Sequence, residues 1–149
     1  AINSNDSSLY KSNCLVTGYG RIGKTLAKYL CALCCNVTVT ARRKETLVEA
    51  EINASTAVNI NSLNSLKEFD FVFNTVPYPI IDSKLLKTAK EDCVFIELAS
   101  YPYGIDINFA ENNGIKTILA SGLPGKYSAK TAANIIMNSI KHCIEEENL

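Results

Sequence analysis

The sequence has little to attract polyanions. Lysine and arginine together number 15, aspartate and glutamate 15, and the formal net charge is zero. The basic residues form no block, so nucleic acid and anionic membrane surfaces are not its expected partners. No apolar run approaches the ~20 residues that span a bilayer. Residues 1–8 are small and polar and lack the charged-then-apolar order of a secretory signal. Residues 1–9 read as a flexible linker or cloning scar, and residues 10–147 as one domain. One histidine, His142, occurs in the chain, and it falls near the end of the last expected helix. A solvated place beside that helix's negative end suits it. No Ser/His/Asp set exists, and the catalytic residues stay unassigned.

The six cysteines include one C-x-x-C, Cys31 and Cys34, inside an apolar helical stretch. Paired C-x-x-C spacing is absent, so no metal site is expected. Most of the cysteines read as small core residues of a reducing compartment.

What is present is alternation. Cys14 to Thr17 is a short continuous run of the kind buried on both faces of a sheet. From Ile22 the period becomes helical, with Ile22, Leu26, Leu30 and Leu33 on one stripe. Asn36 to Ala41 is β-branched and reads as a second strand. A helix over Lys44–Asn53 and a strand over Ala57–Ile60 follow, then a short helix or turn from Ser62 to Glu68 with Ser62 as its cap. Asp70 to Val76 is a fourth strand, stopped by Pro77. Asp82 caps a helix through Ala89. Cys93 to Ala99 is a fifth strand, a helix spans Asp106–Asn112 with Gly114 ending it, and Ile115 to Ala120 is a sixth strand. The last helix runs from Ala129 to Glu146. Six strands separated by helices predict a doubly wound, parallel, three-layer αβα sheet of the Rossmann type, in the order 3-2-1-4-5-6.

Within that frame Gly18-Tyr19-Gly20-Arg21-Ile22-Gly23 joins strand to helix with all three glycines of a dinucleotide turn. Gly18 makes the turn, Gly20 admits a pyrophosphate and Gly23 lets the helix pack closely. The helix N-terminus then favours the diphosphate. NAD-selective domains put an acid at the end of the second strand. Here Ala41 is followed by Arg42 and Arg43, which suit a 2′-phosphate, so NADP is expected over NAD. Ligands of open parallel sheets lie beyond the carboxyl ends of the strands. Asn74-Thr75-Val76-Pro77, Leu98-Ala99-Ser100 and the loop with Gly122 and Pro124 are therefore expected to surround the cofactor. Lys126 and Lys130, at the start of the last helix, are candidates on the substrate side. Tyr78, Tyr101, Tyr103 and Tyr127 fall in the same loops and are candidates to wall the site, rim packing being the commoner role of such residues. Glu97 reads as a packed, hydrogen-bonded acid.

The segments G-Y-G-R-I-G-K-T-L-A-K-Y-L, F-N-T-V-P, I-E-L-A-S-Y-P-Y-G-I-D and G-I-K-T-I-L-A-S-G-L-P-G-K-Y-S-A-K-T-A resemble the dipicolinate synthase A-subunit family over nearly all of Tyr10 to Ile144. The resemblance implies an NADP-linked oxidation of dihydrodipicolinate, or its hydroxylated precursor, in the mother-cell cytoplasm of a spore-forming bacterium. It implies a dihydropyridine dicarboxylate substrate and a separate B subunit that resembles a flavoprotein. It leaves a homo-oligomer open, and it implies a further N-terminal domain outside this chain. Three places depart from the family pattern, one of them Ala133, which replaces a common glycine in the last helix and favours helix there. Cys34-Cys35 stand where the first helix usually meets a glycine, and Tyr103 makes P-Y-G where P-G-G is common, which narrows the space beside the nicotinamide. An NADP-linked hydroxyacid-type reductase is the alternative enzyme, although no histidine stands in the loop directly after the sixth strand, where its acid/base is expected. A nucleotide-sensing module without chemistry is the alternative of another class.

Overall fold

The structure, a computed structural model, describes residues 9–53, 56–120 and Asn138. Apart from Asn138, the helix expected over Ala129–Glu146 lies outside the described residues, and so do Gly122, Pro124, Lys126, Tyr127, Lys130 and His142. The strands are β1 (Asn13–Thr17), β2 (Asn36–Ala41), β3 (Thr56–Asn59), β4 (Phe71–Asn74), β5 (Val94–Glu97) and β6 (Thr117–Leu119). All are parallel and lie in the order β3-β2-β1-β4-β5-β6, as the alternation predicts. The helices are α1 (Arg21–Ala32), α2 (Lys44–Ile52), α3 (Ser83–Leu86) and α4 (Ile107–Asn112).

Side-chain parity divides the core. Cys14, Val16, Val37, Val39, Phe71, Phe73 and Ile96 pack with Leu26, Ala27 and Leu30 of α1 and Ala50 of α2. On the opposite face Leu15, Val72 and Phe95 pack with Leu85 and Leu86 of α3 and Ala110 of α4. Burial on both faces explains why the strands read as continuous apolar runs.

Several boundaries differ from expectation, each for a local reason. β4 ends at Asn74, not Val76, because the Asn74 carboxamide brackets Val76. Its Oδ1 accepts from Val76 N at 3.2 Å, and its Nδ2 donates to Val76 O at 3.0 Å. β5 likewise ends at Glu97, whose carboxylate takes the Ala99 N–H at 2.8 Å. Ser62 does not start a helix. It ends a 3-10 turn, Ile60–Ser62, capped by Asn59, whose Oδ1 accepts from Asn61 N. Asp82 caps α3 as expected, accepting from Leu85 N at 2.9 Å. That helix stops after Leu86, where the Thr88 hydroxyl donates to Leu85 O and accepts from Leu66 N. Leu33 is not core: it is the C-cap of α1 and is 42% exposed.

α1 and α4 end alike. Cys34 N donates to Cys31 O and Cys35 N to Leu30 O; Gly114 N donates to Glu111 O and Ile115 N to Ala110 O. This is the Schellman pattern, which puts one residue in the left-handed region. At α4 that residue is Gly114 (φ +66°), and at α1 it is Cys34 (φ +62°). Tyr103 is also left-handed, at φ +63°. Cys34 and Tyr103 thus both hold the left-handed backbone that favours glycine.

Candidate functional site

The turn after β1 is held from both sides. Gly18 (φ +87°) donates its N–H to Thr40 O of β2 at 2.9 Å. A side chain at Gly18 would come within 2.7 Å of both Thr75 Oγ1 and Val76 Cγ2. A Cβ at Gly23 would collide with the Gly18 carbonyl, so this glycine is set by the turn itself as well as by helix–strand packing. Gly20 is different. Its φ is −80°, and a Cβ there would meet nothing within 4 Å. Its missing side chain widens only the open space in front of α1. α1 begins there without a side-chain cap and without an acid in its first turn, leaving N–H groups with a positive helix end.

That space is a cleft of about 480 Å³. Gly18, Tyr19 and Gly20 form its floor; Thr40, Ala41, Arg42, Arg43, Thr46 and Ile60 form one wall, and Val76, Pro77, Tyr78 and Ile80 the other. No acid is among these lining residues. Arg42 lies over the Tyr78 ring, 5.1 Å from its centroid, and so spans the mouth. Lys24 pairs with Glu49 at 2.6 Å and stands 5.6 Å from the Tyr19 ring centroid; burial chiefly raises the Tyr19 phenol above its ordinary range.

Thr40 was not singled out by sequence. It is fully buried, it lines the cleft, and its hydroxyl has no hydrogen-bond partner among the described residues. A dinucleotide cradle accounts for such an atom, since a buried hydroxyl without a partner is costly unless a ligand or water completes it. The alternation of Val37, Val39 and Ala41 with Thr38 and Thr40 is the signal that separates the wall from the core.

Thr40 also begins a row. In strand register Thr40 pairs with Thr17, Thr17 with Asn74, and Asn74 with Glu97. These are the four fully buried polar side chains among the described residues. The Thr17 hydroxyl donates to Asn74 Oδ1 at 2.6 Å. Asn74 Nδ2 donates to the Glu97 oxygens at 2.7 and 2.9 Å. Glu97 is therefore the packed, hydrogen-bonded acid that the sequence suggested.

The expected site residues come together in part. The glycine turn, Ala41, Arg42, Arg43, Val76 and Pro77 share the cleft; Arg21, Ile22 and Gly23 open α1 beside it. Asn74 stands behind the wall, and Thr75, whose Oγ1 donates to Thr17 O at 2.7 Å, backs the turn. Leu98 and Ala99 are buried and Ser100 is exposed; none of the three lines the cleft, and neither does Tyr103.

The described cysteines assemble no metal centre. Among the described residues no group of three or more His, Cys, Asp or Glu side chains is placed to hold an ion. Cys14, Cys35 and Cys93 are buried, Cys31 is half-buried and Cys34 is exposed. The hydrogen bond with Cys35, then burial, drives the Cys14 thiol far up, and the same bond lowers Cys35. Burial pushes Cys93 up to about 12. No described helix is long and apolar enough to cross a membrane.

Residues 3–100 match the family described as D-isomer specific 2-hydroxyacid dehydrogenase, NAD binding domain. The sequence is 34% identical to the dipicolinate synthase A subunit of Bacillus subtilis over 147 residues, covering 98% of this chain and 50% of that protein. The crystal structure of the dipicolinate synthase A subunit from Bacillus halodurans superposes with a TM-score of 0.78 at 30% identity, covering 95% of this chain and 49% of that one. The corresponding B. subtilis structure gives 0.77 at 33% identity, over 96% and 48%. The chain spans about half the length of these relatives.

Proposed function

This chain belongs to the NAD-binding domain family of the D-isomer-specific 2-hydroxyacid dehydrogenases, and we propose that it is the NADP-holding half of a dipicolinate synthase A subunit. The observation that carries the cofactor choice is the wall at the end of β2, where Arg42 and Arg43 line the cleft and, among the described residues, no acid does. An acid there would bind ribose hydroxyls and repel a 2′-phosphate, whereas guanidinium groups form charge-assisted pairs with it. In this reading the α1 amides beyond Gly20 receive the pyrophosphate. Ala41 to Arg43 receive the adenosine phosphate. Asn74 to Pro77, Leu98 to Ser100, Gly122 and Pro124 flank the far ribose and nicotinamide.

The bound cofactor supplies a hydride-accepting carbon. The chain's own contribution is to bind, orient and exclude water. The substrate would be a dihydropyridine dicarboxylate, which loses a hydride to the cofactor and a proton to solvent and gains ring aromaticity. Lys126 and Lys130 are proposed to meet its carboxylates. The complete enzyme would pair with a B subunit in the cytoplasm of a sporulating mother cell.

Calorimetric titration of the chain with NADP and NAD tests the cofactor. Tighter binding of NADP, lost by about tenfold or more in Arg42→Ala or Arg43→Ala, is expected for a charge-assisted pair. Equal affinities with no loss in either variant overturn the assignment. Dihydrodipicolinate-dependent reduction of NADP by the full-length protein, with and without its partner, tests the reaction.

A further inference from the structure

The Glu97 carboxylate does more than pair with Asn74. It also accepts from Ala99 N at 2.8 Å, Gly104 N at 2.9 Å and Ile105 N at 3.0 Å. These amides lie at the two ends of one loop, so a single buried side chain clamps both flanks of residues 100–103. The loop closes on itself through Tyr103 N donating to Ser100 O at 3.0 Å. It carries Tyr101, 82% exposed and edge-on to Tyr103 at 5.8 Å between centroids. Tyr103 sits at φ +63°, a conformation held only where the surroundings impose it.

The clamp reaches the cleft by two routes. The Gly104 carbonyl accepts from Ile80 N at 3.0 Å and Ile81 N at 2.8 Å, tying the loop to the segment whose Pro77, Tyr78 and Ile80 line the cleft. Asn74, held by Glu97, brackets Val76 of the same wall and receives the Thr17 hydroxyl from beneath the glycine turn. A Cβ at Gly104 would strike the Asn74 carboxamide, so loop and wall are in van der Waals register. Every donor aimed at Glu97 needs an acceptor. An amide in its place would set its own NH2 against one of them.

We propose that Glu97 is a positioning residue: through Asn74 and the Ala99, Gly104 and Ile105 amides it fixes the loop of residues 99–105 and the 76–80 wall at the spacing the dinucleotide requires. The inference rests on the dinucleotide reading above. It assigns to one buried carboxylate the alignment of the cofactor cleft with the loop beyond β5.

The test compares Glu97→Gln and Gly104→Ala with a core control, Ile96→Val, which lies on the same strand but faces the other layer. NADP affinity, thermal midpoint and amide hydrogen exchange are measured in each. Glu97→Gln is expected to weaken NADP by about tenfold and to speed exchange at Gly104 and Ile105. Gly104→Ala keeps every hydrogen-bonding group, pushes the loop off Asn74 and is expected to weaken NADP in the same direction; it serves if Glu97→Gln does not fold. Ile96→Val is expected to lower the midpoint with unchanged affinity. Glu97 and Gly104 variants that lose midpoint but keep wild-type affinity overturn the proposal. If the unaltered chain binds neither NADP nor NAD, the dinucleotide reading fails by itself. Exchange then decides the clamp: Gly104 and Ile105 amides as slow in Glu97→Gln as in wild type overturn it, and accelerated ones support it.

Discussion

Arg42 and Tyr78 meet across the mouth of the cleft, the guanidinium 5.1 Å from the ring centroid. One stands at the end of β2 and the other in the segment after β4, so the pair bridges the two walls. Tyr78 is 59% exposed, and water screens the contact. Tyr78→Ala is therefore expected to cost less than about 1 kcal/mol of unfolding free energy, as read from urea midpoints. A larger loss would mean that Tyr78 packs more deeply than its exposure indicates.

Thr40→Val is expected to move stability and binding in opposite directions. Valine keeps the shape and removes a buried hydroxyl that lacks a partner among the described residues. The unliganded chain should gain about 1 kcal/mol and unfold at a higher temperature. NADP binding should weaken, because the hydroxyl is a buried polar atom of that wall that a ligand would complete. A gain in midpoint with unaltered affinity would assign the hydroxyl to water instead.

Left-handed backbone at Cys34 and Tyr103, two of the three described non-glycine residues with positive φ, makes a stability prediction. Cys34→Gly should stabilise by about 1 kcal/mol, since the α1 Schellman turn keeps its hydrogen bonds and loses the Cβ crowding. Cys34→Ala should give no such gain. Tyr103→Gly relieves the same crowding but loses the edge-to-face contact with Tyr101, so its net gain should be smaller. Thermal midpoints of the three variants rank the effects.

The buried thiols set an alkaline limit. Cys93 rises from an ordinary 9.0 to about 12 because burial disfavours the thiolate. The unfolded chain ionises first, so this contribution is intact below pH 9.0 and lost as pH rises toward about 12. Lys90, raised by its hydrogen bond to Asp70, loses its contribution in the same alkaline direction. Cys93→Ala should flatten part of the fall in midpoint between pH 8 and 11. An unchanged slope would place the alkaline loss elsewhere.

The strand order, the dinucleotide turn and the paired arginines were all legible along the chain. Continuous apolar runs, a change of period at Ile22 and three glycines at fixed offsets are local patterns. A parallel sheet with short crossovers leaves few ways to arrange them. The same local character explains the errors. Asn74 and Glu97 read as strand interior, and their side chains ended the ladders by taking backbone partners from the following loops. Ser62 had the chemistry of a cap, but Asn59 reached the turn first.

The cross-strand row could not be read in one dimension. Thr17, Thr40, Asn74 and Glu97 are far apart in sequence and look like unrelated polar interruptions of apolar strands. They become one row only when the register of four strands is set, because in a parallel sheet residues at matched positions point to the same face. That a dinucleotide cleft opens at Gly18 follows from the order of residues along the chain, since it needs only a strand, three glycines and a helix. Tertiary structure alone decided that Glu97 would hold the loop of residues 99–105 against that cleft, since a buried carboxylate finds its donors in space and not along the chain.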